Sequence, residues 1–180
     1  MNSVRHEIDR VVLPRKTIKE VVRVLLHTVL IMRSFGSTSV ERDAPDCGIV
    51  YKCCGHPDID RVVESAAHQL YSALVLDGAL GCTLTFYSIN TVSGVFRKKK
   101  EVPWESWVFP FSVVDHNIKP SITDIIQQIQ SRSAIISHIP QISSRNSPIP
   151  FTFDVTSFGV VQVSRMYLMD FFPYSFSSLF

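Results

Sequence analysis

Pro103-Trp104-Glu105-Ser106-Trp107-Val108-Phe109-Pro110-Phe111-Ser112-Val113 reads as a strand with one strongly apolar face, because Trp107, Phe109, Phe111 and Val113 fall at every second position. Pro110 points the other way and removes a ladder donor, so an edge position or a bulge is expected there. Upstream, Leu84 and Phe86 mark a partner strand. Between the two lies Val92-Ser93-Gly94-Val95-Phe96-Arg97-Lys98-Lys99-Lys100, read as the hairpin loop. It sets a Val-Phe pair beside consecutive cations, and a hairpin with an apolar base and a charged tip is suited to present a recognition finger.

Working outward, Val4, Ile8 and Val12 share one face of a strand over residues 4–13 that ends at Pro14. Thr17 and Glu20 form a T-x-x-E capping box before a helix from Ile18 to about Ser34. Its apolar residues recur at helical spacing, and Val24, Leu26, Leu30 and Ile31 widen the stripe, so it is expected to be central and buried on more than one side. Residues 35–46 read as a loop and Cys47–Cys54 as a strand, broken by Gly55-His56-Pro57. Asp58 to Leu76 is the cleanest amphipathic helix, with Pro57 suited to its first turn. A third helix is expected with Ser121 as N-cap, a buried stripe of Ile122, Ile125, Ile126, Ile129 and Ile136, and Pro140 as its end. Phe151, Phe153 and Val155 alternate as a strand, and residues 158–163 are a further candidate. The element order predicts an α+β fold, three helices on one face of a mainly antiparallel sheet, in one domain over residues 1–180.

Composition excludes several functions. A net charge of +2 offers no bulk electrostatic attraction for nucleic acid. The longest apolar stretch, Val24 to Met32, falls short of the roughly 20 residues a membrane helix needs. The first ten residues are polar and mixed in charge, unlike a secretory leader, so Cys47, Cys53, Cys54 and Cys82 are expected as reduced, small apolar side chains. Cys53, Cys54 and His56 miss the usual zinc spacings, and adjacent cysteines on a strand point to opposite faces. His27 sits among apolar helix residues and reads as a core histidine. No phosphate loop, H-E-x-x-H or G-x-S-x-G occurs. No cofactor, metal or catalytic residue is therefore assigned. Two alternatives stay open: a small thiol- or zinc-dependent enzyme using Cys53 and His56, and weak contact of the basic loop and the aromatic residues 166–180 with an anionic membrane.

Leu26-His27-Thr28-Val29-Leu30 with Arg33-Ser34 and Gly36, and Leu84-x-Phe86-Tyr87 followed by the Lys-rich loop and Pro103-Trp104-Glu105-x-Trp107, resemble the autophagy-related protein 101 family over most of residues 4–155. The resemblance implies a HORMA fold, three helices packed on a β-sheet with C-terminal strands, and no catalysis. It implies pairing with the HORMA domain of autophagy-related protein 13, within the kinase complex that initiates autophagy, in the cytoplasm and at the phagophore assembly site (preautophagosomal structure). The family also carries a Trp-x-Phe finger on the hairpin loop that recruits downstream factors. Here Phe96 matches the Phe and Gly94 stands where the Trp is expected, which leaves Val95, Phe96, Arg97, Lys98, Lys99 and Lys100 as the finger-like site. By the same likeness, Gln127 and Gln130 on the third helix are the candidate HORMA–HORMA surface. Residues 158–180 diverge from the pattern.

Overall fold

The computed structural model describes residues 3–34, 39–73, 80–92, 98–115, 120–140 and 151–158, with backbone alone at 89–92 and 98–100. In chain order the elements are β1 (Val4–Glu7), β2 (Val11–Pro14), α1 (Ile18–Met32), β3 (Val40–Ala44), β4 (Ile49–Cys53), α2 (Pro57–Ala73), β5 (Leu80–Val92), β6 (Lys98–Val114), α3 (Thr123–Ser133) and β7 (Thr152–Phe158). The expected 158–163 strand lies outside the described residues except at Phe158, which ends β7.

The β5–β6 hairpin is the spine of the main sheet. β6 pairs antiparallel with β5 and parallel with both β1 and β2, and β5 pairs antiparallel with β7. The register aligns rows of inward side chains. One row is His6, Trp107, Leu84 and Val155; the next is Val4, Glu105, Phe86 and Phe153. Trp107, Phe109 and Phe111 are fully buried, as their alternation predicts.

Four strand expectations need correction. The single strand over 4–13 is two strands, with the chain taking four steps from Glu7 to Val11 while β6 takes three from Val108 to Phe111. Pro110 falls in that interruption, so its missing N–H costs no ladder bond even though β6 is a central strand; it is not an edge residue. The register irregularity of the hairpin sits instead between Phe86 and Tyr87, where Trp104 is the extra residue on β6. Lys98, Lys99 and Lys100 do not belong to the loop: they open β6, opposite Val92, Thr91 and Asn90. Finally, part of the expected loop 35–46 is β3, paired antiparallel with β4 as a separate ribbon. Its Val-Glu-Arg-Asp-Ala sequence is mostly exposed, so it lacks the apolar alternation that marks a half-buried strand. Gly48, at φ 68°, supplies the left-handed residue that turns the ribbon.

α1 is central as expected. It packs against α2, α3 and β4, and ten of its fifteen residues are buried. The capping box is not formed. A 3-10 turn over Arg15–Thr17 feeds straight into α1, so Thr17 is already helical and its Oγ1 donates to Pro14 O at 2.9 Å. Glu20 Oε2 instead accepts from Asp46 N at 3.0 Å, fastening the end of the ribbon turn to α1. α2 docks on α1 through its apolar stripe and an Arg23–Glu64 pair with bonds of 2.6 and 2.7 Å. α3 starts at Thr123 with Ile122 at the cap position, so Ser121 is not its N-cap, and it ends at Ser133, leaving Ile136 outside the helix and exposed.

Candidate functional site

Val95, Phe96 and Arg97 lie outside the described residues. What the structure provides is their platform: a long antiparallel ladder reaching Val92↔Lys98. Lys98, Lys99 and Lys100 lie in that ladder, so three of the four consecutive cations belong to the strand that supports the tip.

Gln127 and Gln130 are both exposed. The opposite side of α3 explains this. Ile125 and Ile129 are buried in the core, and Gln128 makes a reciprocal pair with Asp9, donating to Oδ2 at 2.8 Å and accepting from the backbone N at 3.4 Å. Arg132 donates to Glu7 O. The α3 side chains that meet the β1–β2 junction thus orient the helix, and Gln127 and Gln130 are left facing solvent.

Beneath the hairpin lies a buried charge cluster that the sequence reading did not single out. Glu105 is 0 % exposed and Arg33, just past α1, is 1 % exposed. Arg33 Nε donates to Oε2 at 2.7 Å and Nη2 to Oε1 at 2.6 Å, a bidentate fork. Arg33 Nη1 also donates to Ser133 O at 3.1 Å, at the end of α3. His6 Nε2 on β1 and His138 Nε2 beyond α3 each lie 3.1 Å from Oε1. The His6 ring stacks on Trp107 at 4.2 Å, and Trp104 sits against His138 at 5.8 Å and Phe151 at 4.7 Å. Burial alone would push the Glu105 carboxyl up; the Arg33 and His6 hydrogen bonds, the Arg33 charge and the His138 hydrogen bond overcome it and hold it at about 2. This cluster joins β1, β6, the end of α1 and the end of α3. The signal in the sequence was parity: Glu105 shares its face with Trp107, Phe109 and Phe111, so a carboxylate was bound for the core and needed a cation.

The four cysteines are buried, as expected. Burial pushes the Cys82 thiol up to about 12. Of the pair Cys53 and His56, the His56 Nδ1 lies 3.9 Å from Asp58, and Cys53 is grouped with other residues. It is enclosed beside His27 and Asp60, and its Sγ donates to Val40 O at 3.5 Å. With Cys53 at 0 % and His27 at 1 % exposure, no substrate reaches the thiol–imidazole pair in this conformation. Desolvation by burial lowers His27 to about 4, which keeps the ring neutral.

Folded this way, the chain is an α+β, HORMA-like domain: helices on a mainly antiparallel mixed sheet, with a C-terminal strand closing one side. Its Pro103-Trp104-Glu105-Ser106-Trp107 motif works from within, as sheet core and ion-pair acceptor. The family model described as Autophagy-related protein 101 matches residues 10–150, so the chain belongs to that family and has an autophagy-related role. This is not a known enzyme family. No curated protein matches the chain. No helix among the described residues is long and apolar enough to cross a membrane.

Proposed function

We propose that the protein is a non-enzymatic adaptor of autophagy initiation, a single HORMA domain that pairs with the HORMA domain of autophagy-related protein 13 and thereby joins the autophagy-initiating kinase complex. The family match over residues 10–150 carries this reading. The exposed Gln127 and Gln130 side of α3 supports it, because that helix is held firmly from behind and is free of intramolecular partners on its outer side among the described residues. A standard interface of about 800 Å² per partner is within reach of a domain this size. In this proposal Val95, Phe96 and Arg97, together with Lys98 to Lys100 at the start of β6, recruit downstream factors, with Gly94 in place of the family's Trp. The cations add weak attraction to anionic membrane at the phagophore assembly site, and the protein otherwise works in the cytoplasm.

The test is co-expression of the full chain with the partner's HORMA domain, followed by size-exclusion chromatography with mass determination. A 1:1 complex, recovered in better yield than either chain alone, is the expected result. Separate elution of both chains at micromolar concentration overturns the pairing.

A further inference from the structure

We propose that His27, Cys53 and Asp60 form a binding site for a zinc-class transition-metal ion that staples α1, β4 and α2 together. One ligand comes from each element, and the His27, Cys53 and Asp60 ligand atoms all lie within 4.8 Å of one another. His27 Nε2 and Asp60 Oδ1 are 3.7 Å apart. That is too long for a hydrogen bond. It matches two corners of a tetrahedral site, since ligand atoms held about 2.0–2.3 Å from one ion stand roughly 3.3–3.8 Å from each other.

The second observation is unmet bonding capacity. Asp60 Oδ1, the oxygen that faces His27 Nε2, is buried with no hydrogen-bond partner among the described residues. Native folds leave few such atoms. An ion bound between the imidazole, the thiolate and the carboxylate gives Asp60 Oδ1 its partner and uses the ring nitrogen that faces it. The carboxylate is already aimed: Arg42 on β3 donates to Asp60 Oδ2 at 2.6 Å, which leaves Oδ1 turned toward His27.

Donor chemistry selects the ion. Nitrogen, sulfur and a single carboxylate oxygen suit zinc and its neighbours, whereas calcium and magnesium take oxygen ligands. On binding, the Cys53 S–H that now donates to Val40 O gives up its proton to solvent, and the new thiolate and the carboxylate, shared with Arg42, leave a net charge of +1 on the ion, its ligands and Arg42. A second group found among the described residues, His6, Glu105 and His138, has comparable spacing but already holds a cation, because Arg33 occupies both Glu105 oxygens. Asp60 has no such block at Oδ1, which is itself buried although the side chain as a whole keeps 23 % exposure.

The experiment uses the purified full chain, stripped of metal by a chelator under reducing conditions and titrated with Co2+. One equivalent is expected to give the visible bands of tetrahedral cobalt and a near-ultraviolet thiolate-to-cobalt band, both abolished by added Zn2+. Cys53→Ser removes the near-ultraviolet band and Cys54→Ser retains it. Asp60→Asn, which keeps the side-chain volume and an oxygen for Arg42, weakens Co2+ binding by at least about tenfold, the lower end of what even an outer-shell loss costs. Absence of the bands in the unaltered chain overturns the proposal. So does a band that survives Cys53→Ser, or, where Cys53→Ser does not fold, unchanged Co2+ affinity in Asp60→Asn.

Discussion

Glu105→Gln removes one negative charge and almost no volume, and it addresses the interaction that ties the sheet to α1 and α3. In the unaltered chain the Glu105 carboxylate is fully buried and accepts the Arg33 fork at 2.6 and 2.7 Å, with His6 and His138 at 3.1 Å. The amide leaves the Arg33 guanidinium in the core without a counter-ion. Removing one partner of a buried pair costs roughly 3–5 kcal/mol. The depressed carboxyl leads to a similar figure: held at about 2 against an ordinary 4.5, it corresponds to about 3 kcal/mol. Because the folded value is depressed, this stabilisation is fully present above pH 4.5 and is lost as the pH falls toward 2. For a chain of 180 residues the loss lowers the melting midpoint by about 6–20 °C. Urea and thermal unfolding followed by circular dichroism at pH 7, and then along an acid series, read both effects. The variant is expected to be much weaker at pH 7, and the two stability curves should converge toward pH 2. The apolar double variant Arg33→Met/Glu105→Leu is expected to be less damaged than Glu105→Gln alone. A Glu105→Gln chain within about 1 kcal/mol of the unaltered one at pH 7 refutes the claim that this pair organises the core.

Gln127→Arg places a bulky charge on an exposed position of α3 and should abolish pairing with the HORMA partner while leaving the unfolding curve within about 0.5 kcal/mol of the unaltered chain; pairing at unchanged affinity removes this helix from the interface. Phe96→Ala should leave the heterodimer intact and weaken downstream recruitment in a pull-down, and undiminished recruitment makes Phe96 a packing residue. Gly81→Ala brings a Cβ to 2.5 Å from Phe109 O, a backbone atom, and into the ring of Phe158. It should destabilise the sheet by about 1–3 kcal/mol, which urea unfolding measures; a smaller effect means that the β5–β6 pair and β7 can shift apart without loss.

Periodicity made the helices and the hairpin legible, because α1, α2, α3 and β6 each bury one repeating set of apolar side chains. What stayed hidden depends on relations between distant residues. No local pattern shows that Asp9 will pair with Gln128, or that the strand at Val4–Glu7 must pause so that Pro110 can lie in a central strand. The same holds for charge. Arg33 reads as the polar end of a helix and Glu105 as a strand residue between tryptophans, and only the fold brings them together across 72 positions. Polar residues were therefore the least readable part of the chain and the most informative once placed. At Glu105 the fold meets a buried charge with an arginine and two histidines, and the carboxylate is satisfied. At His27 and Asp60 it brings polar atoms together and leaves two of them without partners among the described residues. Trp104 Nε1, Trp107 Nε1 and Ser133 Oγ around Glu105 are also unpartnered among the described residues, so the difference between the clusters is the donor set. At the second, imidazole, thiol and carboxylate atoms gather within 4.8 Å with no arginine on the facing carboxylate oxygen, and that is the physical reason to look for an ion there.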